Sequence, residues 1–267
     1  MDDLNQLIVN LSKRDDCPWS PFTPGSLQFC EEQLCSVITA PAETWTNVLY
    51  FVIGFFILRK LPRERAFGWI AIIVGYFSTL FHASHVLWAE TLDLAAMNIL
   101  GAYLLTRNIG RLRFPKMSQL QLPQPSIFHR GSLALFLGFF ILSGVALLFS
   151  IGEARLSVFG SFIAFTLATE FILWQRSQKS DARHEYRWYG LTVAFLIPAY
   201  LFWQLDYRGI VCDPQNHFLS GHGVWHLLNA VCFYTLARFY GSIGKGSPLT
   251  DESRSNPSED RHREPTL

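Results

Sequence analysis

Apolar residues are concentrated in seven runs that short polar stretches separate. A membrane-spanning helix needs roughly 20 mostly apolar residues, and the shorter runs reach this length by recruiting Thr, Asn and Trp at their ends. A buried soluble core could explain one or two such runs but not seven in series. The pattern therefore predicts an all-α polytopic membrane protein with seven transmembrane helices. The runs are residues 45–58, 66–87, 92–106, 131–151, 156–174, 188–205 and 219–240.

Composition agrees with a membrane protein. Half of the 267 residues are hydrophobic and only 16% are charged, whereas soluble domains carry about 25% charged residues. The net charge of +1 gives no reason to expect a nucleic-acid partner, because Lys and Arg are spread over short loops between the runs.

The basic residues predict the orientation of the helices. Lys and Arg follow the first, third, fifth and seventh runs, which places most of them on one face of the membrane. By the positive-inside rule this face is cytoplasmic. The N-terminus is therefore predicted outside and the C-terminus inside. Three regions follow: an external N-terminal segment (1–44), a seven-helix transmembrane domain (45–242) and a disordered cytoplasmic tail (243–267).

The cysteines indicate an oxidising environment on the N-terminal side. Cys17, Cys30, Cys35 and Cys212 fall on the predicted external side, where thiols form disulfides, whereas Cys232 lies in the seventh run. Four cysteines allow three pairings, and their spacing does not choose among them. One or two structural disulfides are expected.

Five polar residues lie inside or at the ends of apolar runs, where ionisable groups are costly and usually functional. Ser78 and His82 lie in the last two turns of the second predicted helix, and Asp93 lies in the first turn of the third. His222 and His226 lie in the first two turns of the seventh. With about 1.5 Å of rise per residue, all five reach one layer near the external boundary. The sequence therefore predicts that they form one site.

The histidine spacing indicates a metal centre. His222 and His226 are four residues apart and share one helix face, as in the HExxH helix of zinc proteases. Alone, such a pair is more often two residues that hydrogen-bond between helices. A third imidazole from His82 would complete a set of three with an open fourth position, which is typical of catalytic zinc. His85 is expected to be interfacial, and Ser78 alone would be a packing residue.

Together these residues resemble a known family. The chain is similar to the alkaline ceramidases, which belong to a superfamily of seven-helix membrane hydrolases that also includes the progestin and adipoQ receptors. The resemblance covers the whole helical domain. It rests on Ser78-x-x-x-His82, on Asp93 within Leu-Asp-Leu-Ala-Ala-Met, on Gly221-His222-x-x-x-His226, and on Cys30-Glu31-Glu32 and Glu43-x-Trp45-x-Asn47 in the N-terminal region.

The resemblance implies a catalytic zinc site. Zinc would be held by His82, His222 and His226, with Asp93 hydrogen-bonded to the water on the zinc and Ser78 near the developing oxyanion. Asp93 would take the proton of the water and return it to the leaving amine.

The resemblance also implies a calcium site and a disulfide. Glu31, Gln33 and Glu43 would supply oxygen ligands to calcium. Gln28 stands where an acidic ligand is expected, which leaves open whether the ion binds. The external disulfide of the family would join Cys30 to Cys212, leaving Cys17 and Cys35 as a second pair.

The resemblance therefore implies a zinc-dependent intramembrane amidohydrolase. Its partner would be a membrane lipid such as ceramide or a related N-acyl lipid, which it would cleave to a fatty acid and a sphingoid base or other amine. Two alternatives stay open: a lipid esterase or phospholipase of the same superfamily, and a non-enzymatic receptor with a structural zinc. The protein would be multi-pass, in the cell membrane of a bacterium or in the endoplasmic reticulum, Golgi or plasma membrane of a eukaryote.

Overall fold

The computed structural model describes residues 16–113, 130–150, 152–177 and 186–243. Within these residues the chain is all-helical and has no β-strand beyond an isolated bridge between Pro24 and Val86. The first 15 residues and the predicted tail, apart from residue 243, lie outside the described part. A short helix, Pro41–Trp45, precedes seven long ones: α1 (Val48–Lys60), α2 (Arg65–Ser84), α3 (Leu87–Arg113), α4 (Arg130–Phe149), α5 (Glu153–Ser177), α6 (Tyr186–Tyr207) and α7 (Gly221–Ser242).

The hydropathy of these helices is that of a multi-pass membrane protein. Five helical segments are long and apolar enough to cross a membrane: Pro41–Lys60, Pro62–Ser84, Gly131–Phe149, Glu153–Ser177 and Tyr186–Tyr207. The other two long helices, α3 and α7, carry more polar side chains, and many of these are buried inside the bundle. A count of seven crossings and the orientation of the termini stay predictions.

Among the helix boundaries that differ from the predicted runs, the two between α2 and α3 affect the site. The residue His85 adopts a left-handed conformation (φ 49°), which ends α2 at Ser84, before the predicted end at residue 87. The next helix, α3, then starts at Leu87 instead of residue 92. Asp93 consequently lies in the second turn of α3 and not in the first. Glu90 and Thr91 interrupt the apolar pattern just before residue 92, so the apolar run alone does not show where α3 starts.

The seven helices form a central group and an outer group. The central helices α1, α2, α3 and α7 enclose the largest apolar core, which includes Ile57, Phe67 and Phe239. The helices α1 and α2 approach closely at Gly54, where a Cβ would lie 2.9 Å from the carbonyl oxygen of Gly68. The outer helices α4, α5 and α6 present mostly exposed apolar side chains. In the most apolar stretch of each of these helices, only 11–17% is buried. These outer faces are suited to contact lipid.

The segment before the short helix lies across one end of the bundle, where α2 ends and α7 begins. We call this the site end and the other the opposite end. Two disulfides hold the segment: Cys17–Cys35, and Cys30–Cys212, which ties it to the loop between α6 and α7. The resemblance implied the Cys30–Cys212 pair and left Cys17–Cys35 open as a second pair, which the structure contains. The backbone N–H of Gly25 also donates to the carbonyl of His85 at 2.7 Å.

A buried ionic cluster joins the helices at the opposite end. The guanidinium of Arg107 pairs with Glu64 and lies 4.5 Å from the ring centre of Tyr240. One turn further along α3, Arg111 pairs with Glu170 of α5 at 2.6 Å. Each of these carboxylates therefore has a cationic partner. We call these four charged residues the opposite-end cluster.

Candidate metal centre and lipid cavity

The structure brings together the three histidines that the sequence predicted as zinc ligands. His82 lies near the end of α2, and His222 and His226 lie in the first two turns of α7. Nε2 of His82 is 3.2 Å from Nε2 of His222. One nitrogen from each ring lies within 4.8 Å of the other two, and all three side chains are buried. The three imidazoles thus converge on one point.

Two of these rings are oriented by groups behind them. Nδ1 of His82 lies 2.8 Å from Oε2 of Glu43, and Nδ1 of His226 lies 3.0 Å from the hydroxyl oxygen of Thr46. The Thr46 hydroxyl can donate to the carbonyl of Ala42 at 2.9 Å, which leaves its oxygen free to accept Nδ1–H of His226. Both rings then turn an Nε2 lone pair towards the convergence point. Such partners behind metal-binding histidines are common because they fix the tautomer and the ring orientation.

The start of α7 is positioned by Asp206 at the end of α6. The carboxylate of Asp206 accepts hydrogen bonds from the backbone N–H groups of His222 at 3.0 Å and of Cys30 at 2.9 Å. The two helices can come this close because residue 221 is glycine: a Cβ there would lie 2.8 Å from Cβ of Asp206. One carboxylate therefore joins α6, α7 and the N-terminal segment beside a histidine of the site.

The end of α2 is held in a similar way. The carbonyl of His82 accepts from the backbone N–H of Ala40 at 3.1 Å and from the hydroxyl of Thr39 at 3.0 Å. The N-terminal segment thus supplies partners to carbonyls that a helix end leaves free. This contact places His82 against the short helix that carries Glu43.

Asp93 and Ser78 lie in the same cavity as two of the histidines. The cavity has a volume of about 90 Å³, and Asp93, Ser78, His222 and His226 all line it. The Ser78 hydroxyl oxygen is 3.5 Å from Nε2 of His226. Asp93 is buried, and in the described part of the chain its Oδ1 has no hydrogen-bond partner. The five residues that the sequence predicted as one site are therefore neighbours.

The rest of the cavity wall is mostly apolar or aromatic, with Asn229 as a polar exception. Leu94 of α3, Phe159 and Ile163 of α5, and Trp203 of α6 belong to it. A cavity with a few polar groups at one end and hydrocarbon along its length suits a lipid whose polar bond sits at the histidines.

The residues predicted to bind calcium have separate sets of partners. Glu31 accepts from the backbone N–H groups of Ala42 (2.9 Å) and Glu43 (3.0 Å), at the start of the short helix. Burial raises the pKa of the Glu31 carboxyl above its usual value. The amide of Gln33 donates to Gln28 at 2.6 Å, whereas Glu43 faces His82. Calcium binding by Glu31, Gln33 and Glu43 stays a prediction from the resemblance.

His85, which was expected to be interfacial, is covered by the protein itself: its side chain is 5% exposed. Its Nε2 lies 3.7 Å from Oε2 of Glu43, and its Nδ1 lies 3.0 Å from Nε2 of Gln33. With His82 and Glu43 it also forms a second group whose ligand atoms lie within 4.8 Å of one another. The N-terminal segment covers His85, and this tertiary contact is invisible in a helix-by-helix analysis.

Asp206 and Glu90 were missed at the sequence level, and Glu43 was predicted only as a calcium ligand. Glu43 and Asp206 lie at the edges of apolar runs, and Glu90 lies just before one. The cost of burying a charge, which singled out Asp93, applies to these three carboxylates as well. Glu90, for example, is fully buried and accepts from Arg155 at 2.5 Å and from the hydroxyl of Ser26 at 2.7 Å.

Fold and site together define the class of protein. Apolar helices enclose three converging imidazoles and an apolar cavity, as expected of a membrane protein with a candidate metal centre for a lipid substrate. A family model described as Ceramidase matches residues 23–246, which include every described helix and all five predicted site residues. The chain belongs to the ceramidase family. A comparison with curated proteins returned no match. Membership supports a ceramidase-type hydrolase, an amidohydrolase with a lipid substrate.

Proposed function

We propose that this chain is a zinc-dependent intramembrane amidohydrolase. Its substrate is ceramide or a related N-acyl lipid, and its products are a fatty acid and a sphingoid base or other amine. The observation that carries the proposal is the convergence of His82, His222 and His226 at the polar end of an apolar cavity.

The donor set suits zinc. Three neutral imidazoles are the protein ligands of many catalytic zinc sites, and they leave a fourth position open. The carboxylate of Glu43 behind His82 and the hydroxyl of Thr46 behind His226 hold each Nδ1 and leave Nε2 available. Burial of all three rings supports the same assignment, because a metal ion relieves the cost of burying unpaired nitrogens.

The residues around the centre have the groups that amide hydrolysis needs. When bound, zinc would supply a Lewis acid for the scissile carbonyl and lower the pKa of water towards neutrality. Asp93 would accept a proton from the attacking water and deliver it to the leaving nitrogen, so that the amine departs neutral. The hydroxyl of Ser78 would donate a hydrogen bond to the oxygen that becomes negative during attack.

The apolar cavity explains how a lipid reaches the centre. Phe159 and Ile163 of α5 and Trp203 of α6 line the cavity from two outer helices whose other faces are exposed and apolar. A substrate entering from the side would keep its chains in hydrocarbon while its amide reaches the histidines. This route avoids moving a whole lipid through water.

The test is turnover by the purified full-length protein in detergent. Ceramides and ester lipids with the same chains are incubated with the protein, and the released fatty acid and amine are measured by mass spectrometry. We expect amide cleavage that a zinc chelator abolishes and added zinc restores, and strongly reduced turnover by Asp93→Asn.

Three other results would overturn the proposal. Ester cleavage without amide cleavage would make the chain a different lipid hydrolase. Full zinc occupancy without turnover of either lipid class would indicate a receptor with a structural metal. Turnover that survives complete removal of zinc would exclude the metal from the reaction.

A further inference from the structure

A second cavity continues the first one away from the histidines. It measures about 70 Å³ and lies between α3, α5, α6 and α7. Five residues line both cavities: Leu100, Phe159, Ile163, Asn229 and Phe233. The two cavities therefore adjoin, and the second lies further from the metal centre, towards the opposite end. Four of the five shared residues are apolar, and Asn229 is the polar exception.

Asn229 is placed on the face of α7 that carries the metal centre. It follows His226 by three residues, which puts it on the same side of the helix, about 4.5 Å further along the axis. Its amide offers two donors and an acceptor. No residue of the described chain forms a hydrogen bond with this amide, although the side chain lines both cavities.

Thr192 also lines this second, inner cavity, but its side chain already has hydrogen-bond partners. The hydroxyl of Thr192 lies 2.7 Å from that of Thr235 and 3.1 Å from the carbonyl of Trp188. Its hydrogen-bonding capacity is thus used inside the protein. Asn229 is partly buried, and its amide borders both cavities without a partner in the described chain, so their junction is suited to a ligand that satisfies it.

We infer that Asn229 binds a hydroxyl group of the substrate lipid, on the chain that enters the inner cavity and close to the scissile amide. The inference rests on the proposed function and adds a preference for hydroxylated lipids. A hydroxyl is the matching group because it both donates and accepts, as the amide does. A charged group would lack a counter-ion here, because the residues shared by the two cavities are neutral.

The expected preference is moderate. One hydrogen bond between neutral groups contributes about 0.5–1.5 kcal/mol, so kcat/KM for a hydroxylated lipid should exceed that for its plain analogue roughly 2- to 13-fold. The replacement Asn229→Leu keeps a similar size and removes the amide, and it should bring this ratio to about 1. Part of the change should appear in KM, because the hydrogen bond already exists in the bound substrate.

The experiment uses the zinc-loaded full-length protein and two matched pairs of N-acyl lipids. In one pair the lipids differ by a hydroxyl at C2 of the acyl chain, and in the other by a hydroxyl at C4 of the amine chain. We expect one pair to show the preference in the wild type and to lose it in Asn229→Leu. The pair that responds identifies which chain occupies the inner cavity. Thr192→Val serves as the matched control, because its hydroxyl is already bonded, and its ratio should equal that of the wild type.

The wild type alone can overturn the inference. Equal kcat/KM within both pairs would show that no hydroxyl is recognised, whether or not a variant folds. A preference that persists in both Asn229→Leu and the smaller Asn229→Ala, with normal zinc content, would assign the recognition to another residue. Failure of the proposed function would look different, because the wild type would then cleave none of the four amides.

Discussion

Two groups of polar residues are buried in this helical bundle, and their hydrogen bonding differs. In the opposite-end cluster, Arg107 pairs with Glu64 and Arg111 pairs with Glu170. Every charge in this cluster has a partner of the opposite sign. The cluster joins α3 to α5 and to the turn before α2, and it needs no ligand to be complete.

At the site end the polar groups converge, but some of their atoms have no hydrogen-bond partner. In the described part of the chain, Oδ1 of Asp93 and Nδ1 of His222 have no hydrogen-bond partner. Nε2 atoms of His82 and His222 face each other at 3.2 Å. With Nδ1 of His82 turned to Glu43, Nε2 of His82 carries a lone pair that can accept a hydrogen bond from His222 or bind a cation. The comparison teaches that burial alone does not mark a functional site, whereas converging groups with unused lone pairs do.

The largest effect should come from removing a histidine of the metal centre. The replacement of His82, His222 or His226 by Ala leaves two ligands, which hold a metal ion poorly. Each variant should lose both stoichiometric zinc, measured by elemental analysis, and detectable turnover. His217→Ala is the matched control, because His217 contacts Glu31 and lies outside the three rings. Full zinc occupancy in one of the three variants would exclude that residue as a ligand.

The next effect concerns Asp93, where binding and chemistry should separate. Asp93→Asn keeps the size of the side chain but cannot accept the proton of water. Turnover should fall roughly 10²- to 10⁴-fold, the usual range for general acid–base catalysis, while zinc content stays at that of the wild type. Near-normal turnover would place the base elsewhere.

Breaking the opposite-end cluster should affect stability and not metal binding. Arg111→Met leaves the carboxylate of Glu170 buried without its cation, which costs about 3–5 kcal/mol. Thermal denaturation in detergent should show a lower Tm, and the folded fraction should keep its zinc. The double variant Arg111→Met, Glu170→Met removes both charges and should recover much of the loss. Zinc loss from folded Arg111→Met protein would contradict the separation of the two groups.

The smallest of these effects should follow from Glu43→Gln. The amide keeps the shape of Glu43 but weakens the charge-assisted hydrogen bond to Nδ1 of His82. Loss of such a partner behind a metal ligand typically weakens metal affinity about 10- to 100-fold. Competition with a chelator measures this affinity. Glu31→Gln is the control, because Glu31 contacts the backbone of the short helix and not a ring of the metal centre. Equal affinities in both variants would remove Glu43 from this role.

Part of the site could be predicted because local periodicity carries its signal. The four-residue spacing of His222 and His226, and the depth of His82 and Asp93 in apolar runs, were sufficient to group these residues. His85 shows where this reasoning stops. Its burial depends on the N-terminal segment folding back over α2, which is a contact between distant parts of the chain.

Hydropathy was least informative for the two helices that carry most of the site. The start of α3 was placed five residues late, and neither α3 nor α7 is among the segments apolar enough to span a membrane by composition. The reason is the same in both cases. A helix enclosed by other helices can bury polar residues such as Glu90, whose charge Arg155 neutralises, and its sequence then looks less apolar than its environment.

By itself the sequence determined the class of fold, the family resemblance and which three histidines come together. It could do so because apolar run length and helical spacing are local properties of the chain. Tertiary structure decided which groups support those histidines. Glu43 lies behind His82, Asp206 holds the start of α7, and Asn229 faces the junction of two cavities. These roles depend on how the helices and the N-terminal segment pack, and packing depends on contacts between residues far apart in the chain.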